Sequence, residues 1–166
     1  MLSDTFRAAV EAEDPVAVTD ALAEDVVFRS PAVFKPYEGK QIVAAILVQG
    51  AMHVFEDFRY TDQLEDGDTA TLIFAARVGD RRVDGLDLLR FDDEGRIREL
   101  MVMVRPLSGL NALAAAMSRR FEEAEIGPPA ASRSSSDRRG RRIWTTSSKS
   151  GSSRGARAIA ASCRTM

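Results

Sequence analysis

Cysteine, histidine and tryptophan each occur once in this 166-residue sequence, as Cys163, His53 and Trp144. A lone cysteine cannot close an internal disulfide. With only one histidine beside it, a Cys/His metal set is not available either. No metal and no cofactor are therefore expected. No segment approaches the roughly 20 apolar residues of a membrane-spanning helix. The opening stretch MLSDTFRAAVEAED lacks a basic segment followed by an apolar one, so no signal peptide is expected and a reduced, cytoplasmic setting is.

What is present is the composition of a globular protein, 45% hydrophobic and 29% charged, in a chain long enough for one domain with a real core. The net charge of −2 conceals an asymmetry. Residues 1–127 hold 14 of the 23 basic and 24 of the 25 acidic side chains, giving a body near −10 and a remainder near +8. The change comes at Gly127-Pro128-Pro129. Beyond it the sequence is rich in Ser, Arg and Gly, without a sustained apolar period, and cannot bury enough surface to offset its ordering entropy. Two units are expected: a folded domain at 1–127 and a disordered basic tail at 128–166. The scattered arginines, with Trp144 as the tail's one aromatic, argue against a nucleic-acid tether.

Within 1–127 the periodicity is clear. Ser3–Glu13 reads as a helix with Phe6, Ala9 and Val10 on one face. Asp14-Pro15 starts a second helix, an acid at the N-cap and proline at the first helical position, running to about Ala23. Val26-Val27-Phe28 reads as a short strand ending near Ser30-Pro31. After a loop, Lys40–Phe55 forms a third, apolar helix. Four strands follow at about 57–65, 69–78, 82–91 and 96–105, joined by short turns of the hairpin kind. A last helix spans about 109–125, capped by Ser108, with Leu110, Leu113, Met117 and Phe121 at helical spacing. Helices followed by a meander of antiparallel strands indicate an α+β domain. Any pocket is expected between the concave face of the sheet and the third helix.

One strand residue is out of place. Asp87 lies between Leu86 and Leu88 in VDGLDLLRFDDEGRI. It either faces a cavity, or pairs with Arg77, Arg90 or Arg105, or points to solvent. Strand parity groups Gly85, Leu89 and Phe91 with it on one face and Asp84, Leu86, Leu88 and Arg90 on the other. His53 falls on a mixed helix face with Ile42, Ile46 and Gln49, which argues against a triad with Ser30 and Asp87. Phe28, Phe34, Phe55, Phe58, Tyr60 and Phe74 read first as core, some of them also lining any cavity.

The order of elements, with EDPVAVTDALAEDVVFRSP, YEGKQIVAAI and above all DGLDLLRFDDEGRI, resembles the nuclear transport factor 2-like superfamily in its SnoaL-like and ketosteroid isomerase-like branch, over residues 4 to about 106. The resemblance implies a cone-shaped α+β barrel, its curved antiparallel sheet wrapped around N-terminal helices, with a pocket at the wide end. In the isomerases of that branch, an aspartate after the short strand abstracts a proton; Ser30 stands there. A tyrosine in the first helix donates to the oxyanion; Phe6 stands there. A protonated aspartate on a late strand is the second donor, and Asp87 matches it. The acid of the SnoaL-like cyclases on the last strand is missing, since this chain reads Glu99-Leu100-Met101-Val102.

The resemblance implies Asp87 as the catalytic group, should the site be catalytic, and Phe6, Phe28, Ser30, Phe55, Phe74 and Leu89 as ligand contacts. The expected partner is a hydrophobic small molecule. Because Leu100–Val104 is apolar on both faces and Leu86 and Leu88 point outward, a homodimer through the sheet is also expected, unless the last helix covers that face. Whether the site catalyses an isomerisation, cyclisation or dehydration, or only binds, the sequence leaves open.

Overall fold

The computed structural model describes residues 1–123; the expected domain end at 127 and the basic tail lie outside these residues. α1 (Ser3–Glu11) and α2 (Pro15–Asp20) open the chain. The Asp14 side chain accepts from the Val16 and Ala17 backbone N–H groups, both at 3.0 Å, so the expected N-cap of α2 is present. α2 ends three residues earlier than expected because Leu22 and Ala23 already belong to β1 (Leu22–Arg29). A two-residue strand, β2 (Tyr37–Glu38), precedes α3 (Lys40–Ala45). The helical path then widens to a π-helix over Ile46–Ala51 and closes as α4 (Met52–Val54). β3 (Glu56–Asp66), β4 (Thr69–Val78), β5 (Arg81–Phe91) and β6 (Ile97–Arg105) follow, and α5 (Leu107–Glu123) ends the described chain. Among these residues no helix is long and apolar enough to cross a membrane.

The strands form one open mixed sheet in the order β2-β1-β6-β5-β4-β3. β3 to β6 are the expected antiparallel meander. β1 is longer than expected and pairs in parallel with β6, Phe28 opposite Leu100 and Arg29 opposite Met101. A parallel partner this far along the chain requires a long crossover, and local sequence carries no signal for it.

Two register shifts on β3, between Glu56 and Arg59 and between Tyr60 and Asp62, bend the sheet edge. Asp57 in the first shift adopts φ +53°, with its carboxylate on Arg77 Nε at 3.0 Å. The second shift changes which face the strand presents: Phe58 and Tyr60 point inward before it, Gln63 and Glu65 after it.

The inner face of the sheet and the helices share one core built on Phe74, Leu72, Leu89, Ile97 and Leu100. Phe34, expected in that core, is fully exposed. It lies in the loop between Pro31 and Pro36, whose missing N–H groups keep the segment out of the sheet until Tyr37. α5 starts at Leu107, so Ser108 falls in its first turn and is not its cap; the Leu110 N–H reaches the Pro106 carbonyl at 2.9 Å. α5 packs against β4, β5, β6 and the π-helix on the cavity side, and among the described residues no helix covers the outer face.

Gly85 lets the aromatic layer lie flat on β5. A Cβ there would stand 2.3 Å from Phe74 Cζ and 2.6 Å from the Met103 carbonyl oxygen. Gly85→Ala is expected to cost about 1–3 kcal/mol through overpacking. A lowered urea midpoint with unchanged slope is the measurement that checks it.

Candidate functional site

Asp87 occupies the middle of β5 with Leu72 opposite it on β4 and Val102 opposite it on β6. Both neighbours are apolar, and strand alternation turns the carboxyl to the inner face, where it is 7% exposed. The expected parity holds: Leu89 and Phe91 are buried with it, while Asp84 and Arg90 are outside. None of the three arginines considered as partners reaches it. Arg77 pairs with Glu56 and Asp57, Arg90 with Glu99, and Arg105 with Asp84.

The partner of Asp87 is Tyr60, whose phenolic O–H donates to Asp87 Oδ2 at 2.7 Å. Among the described residues no donor reaches Oδ1. Tyr60 is 5% exposed, and the β-bulge just beyond it aims its ring inward. From outside, Arg7 on α1 holds this strand. Its guanidinium carbon stands 5.9 Å from the Tyr60 ring centroid and its Nη1 donates to Gln63 Oε1 at 3.1 Å.

Burial raises the Asp87 pKa from the ordinary 3.8 to about 7, against the Tyr60 hydrogen bond, which favours the charged form. Tyr60 is pushed well above the usual tyrosine value, first by burial and then by the charge of Asp87 and its hydrogen bond. At neutral pH the pair therefore shares a phenol that keeps its proton and a carboxyl that exchanges one.

The pair faces a cavity of about 750 Å³ between the sheet and the helices. Of the expected contacts, Phe6, Phe28, Ser30, Phe55 and Phe74 line it. Leu89 does not. It is fully buried one inward position beyond Asp87, paired with Ala70 and Leu100, and belongs to the core beneath the cavity. The third helix contributes as expected, through the π-helical Ile46, Leu47 and Ala51. α5 supplies a wall not foreseen, with Leu113, Met117 and Phe121. Phe55, Phe58, Tyr60 and Phe74 form a ring cluster that reaches Asp87 through Tyr60, with contacting centroids 4.9–6.4 Å apart.

Ser30 sits where the loop leaves β1, and its Oγ accepts from the Ala32 N–H at 3.2 Å. His53 is exposed, bonded through Nδ1 to the Val48 carbonyl at 2.9 Å, and is not in the cavity wall. Among the described residues no three His, Cys, Asp or Glu side chains converge as a metal site. The residue that sequence reasoning missed is Tyr60 as the partner of Asp87. Its spacing marks only a strand position, because the bulge that aims it depends on pairing with β4.

Comparison with known proteins agrees with this architecture. A family model described as the SnoaL-like domain matches residues 4–100. A steroid delta-isomerase from Pseudomonas aeruginosa is 44% identical, with a TM-score of 0.69 over 74% of this chain and 90% of that one. An uncharacterized protein with a cystatin-like fold from Silicibacter pomeroyi is 31% identical, with a TM-score of 0.71 over 75% of this chain and 89% of that one. An NTF2-like protein of unknown function from Cytophaga hutchinsonii, 21% identical, shares the fold alone, with a TM-score of 0.53 over 63% of this chain and 88% of that one. No curated protein matches the chain.

The folded carboxyl of Asp87 holds its proton up to about pH 7, while an unfolded aspartate loses it near 3.8. Between these values the folded state binds more protons. Stability conferred by Asp87 is therefore greatest at the acid end and falls as pH rises through the window, by up to roughly 4 kcal/mol. Chemical denaturation between these pH limits should show that slope, and Asp87→Asn should remove it. Carboxyl NMR should show Tyr60→Phe raising the Asp87 titration point further, since the substitution deletes the bond that favours the ionised form.

Proposed function

The chain belongs to the SnoaL-like domain family, and on that footing we propose that it binds a hydrophobic small molecule in this cavity and assists its isomerisation, cyclisation or dehydration with Asp87 as the acid. The observation that carries this reading is the buried Asp87 carboxyl with Tyr60 fixed on one of its oxygens. Oδ2 accepts from the phenol, so the neutral acid is best served with its own proton on Oδ1. That proton is available to a ligand carbonyl or to an oxyanion developing from it. Against a largely apolar wall such a donor acts at higher strength than in water.

The ligand that suits the walls is a bulky apolar body with one or two polar atoms. The steroid delta-isomerase relative supports a carbonyl compound in particular. Ser30 limits the chemistry. A serine hydroxyl is far too weak a base to take a proton from carbon unless another group activates it, and this one is engaged in its own turn. The reaction supported is thus acid-driven, with substrate or water supplying the base. That same residue favours the second reading, a binding module of identical architecture that performs no turnover.

Asp87→Ala, which deletes the donor that an asparagine would keep, separates the two. With a panel of hydrophobic ketones, catalysis predicts turnover reduced by about 10²–10³, the usual cost of losing an oxyanion donor, while binding of the apolar body persists. Unchanged behaviour of the variant would leave binding alone.

The reverse side of the same strand supports a homodimer through the sheet. Ile73, Leu86 and Met103 form one outward row, and Thr71, Leu88 and Met101 the next. Met103 is half exposed, and the neighbouring Leu64 is 67% exposed. The rows are flanked by paired charges, Arg29 and Arg90 on Glu99 and Arg105 on Asp84, which suit a two-fold contact with an identical face. Sedimentation should give a dimer at micromolar concentration and a monomer for Leu88→Arg.

A further inference from the structure

We propose that the cavity also admits hydrophobic amines as their ammonium ions, held by ionised Asp87 and its aromatic neighbours, and that it excludes anions. The proposal goes beyond the acid chemistry above, although it rests on the same reading that ligands enter the cavity and reach Asp87.

Every charged side chain in the cavity wall is a carboxylate: Glu11, Glu13, Asp87 and Glu122. Among the described residues no Lys, Arg or His lines it. Glu11 is met by Arg7 Nε at 3.2 Å, but Arg7 itself stands outside the wall. The polar groups of the cavity wall besides Asp87 can be named element by element. α1 and the turn after it bring Glu11 and Glu13, the loop after β1 brings Ser30, β2 brings Tyr37, β3 brings Tyr60, and α5 brings Ser118 and Glu122. β4 and β6 present Leu72 and Val102.

An anion entering this space would lose its hydration and gain no positive partner. A cation meets the opposite situation. Phe55, Phe58, Tyr60 and Phe74 line the same cavity as Asp87, Tyr60 in direct contact with it, and offer aromatic surface, whose ring faces attract cations. Asp87 is 7% exposed, lines the cavity and has an oxygen, Oδ1, that no described residue bonds. An ionised carboxylate accepts at both oxygens, so Tyr60 can stay on Oδ2 while an ammonium N–H bonds Oδ1. Ionising Asp87 is inexpensive near neutral pH, because the group titrates at about 7. One carboxyl thus serves two ligand classes in two protonation states. Neutral, it donates to a carbonyl; charged, it receives a cation.

The test uses three probes with one apolar body, adamantanamine, adamantanone and adamantanecarboxylate, titrated calorimetrically into the full chain. Measurements at about pH 5.5 and about pH 8.5 bracket the titration of Asp87. Amine affinity is expected to rise roughly tenfold or more from the lower to the higher pH, ketone affinity to fall by a similar factor, and the carboxylate to show no binding at the higher pH. In Asp87→Asn the pH dependence of amine binding should vanish. Carboxylate binding as tight as amine binding, or amine affinity equal at both pH values, overturns the proposal. If the ketone keeps its trend while the amine fails to bind, the ammonium site is refuted and the acid reading survives. The reverse pattern supports the ammonium site and removes the acid reading.

Discussion

The Tyr60 phenol donates a hydrogen bond to one oxygen of Asp87 at 2.7 Å, inside a largely apolar wall. Two opposing effects meet in that contact. Removing the carboxyl from water favours its neutral form, and the tyrosine favours its charged form. Burial prevails, and the carboxyl titrates at about 7. The hydrogen bond also distinguishes the two oxygens, engaging Oδ2 and leaving Oδ1 to whatever occupies the cavity.

The rest of the fold maintains that balance. The bulges of β3 turn Tyr60 toward β5, and Arg7 braces the same strand from α1. Gly85 gives Phe74 room to cover the sheet two positions before Asp87. On the opposite side, α5 rests on Gly50, where a Cβ would stand 2.5 Å from Met117 Cε. This close approach brings Met117 and Phe121 over the cavity and keeps its interior apolar. The widened helix at Ile46–Ala51 supplies the facing wall, in keeping with the tendency of π-helical turns to occur beside functional sites.

Local rules carried much of this into the sequence. Asp14 before Pro15 announces a helix start because capping involves neighbours only. The alternation from Val83 to Phe91 puts Asp87 on one face with Leu89 and Phe91 because a strand's period is fixed by its backbone, and the resemblance implies that this face is the inner one. Phe34 shows where hydrophobicity misleads: an aromatic between two prolines lies in a loop and stays in solvent. Leu89 shows the limit of parity, which assigns a face but not a depth, so a residue read as a ligand contact proves to be core.

By itself the sequence determined the α+β order, the hairpins and the face that Asp87 shares with Leu89 and Phe91, since each follows from the period or turn chemistry of a short segment; that this face lines a pocket is implied only by the resemblance. Tertiary structure alone decided that β1 joins β6 in parallel, that α5 lies on the cavity side of the sheet, and that the partner of Asp87 is Tyr60. These depend on contacts between residues far apart in the chain. A bulge on one strand can be read only against the strand beside it.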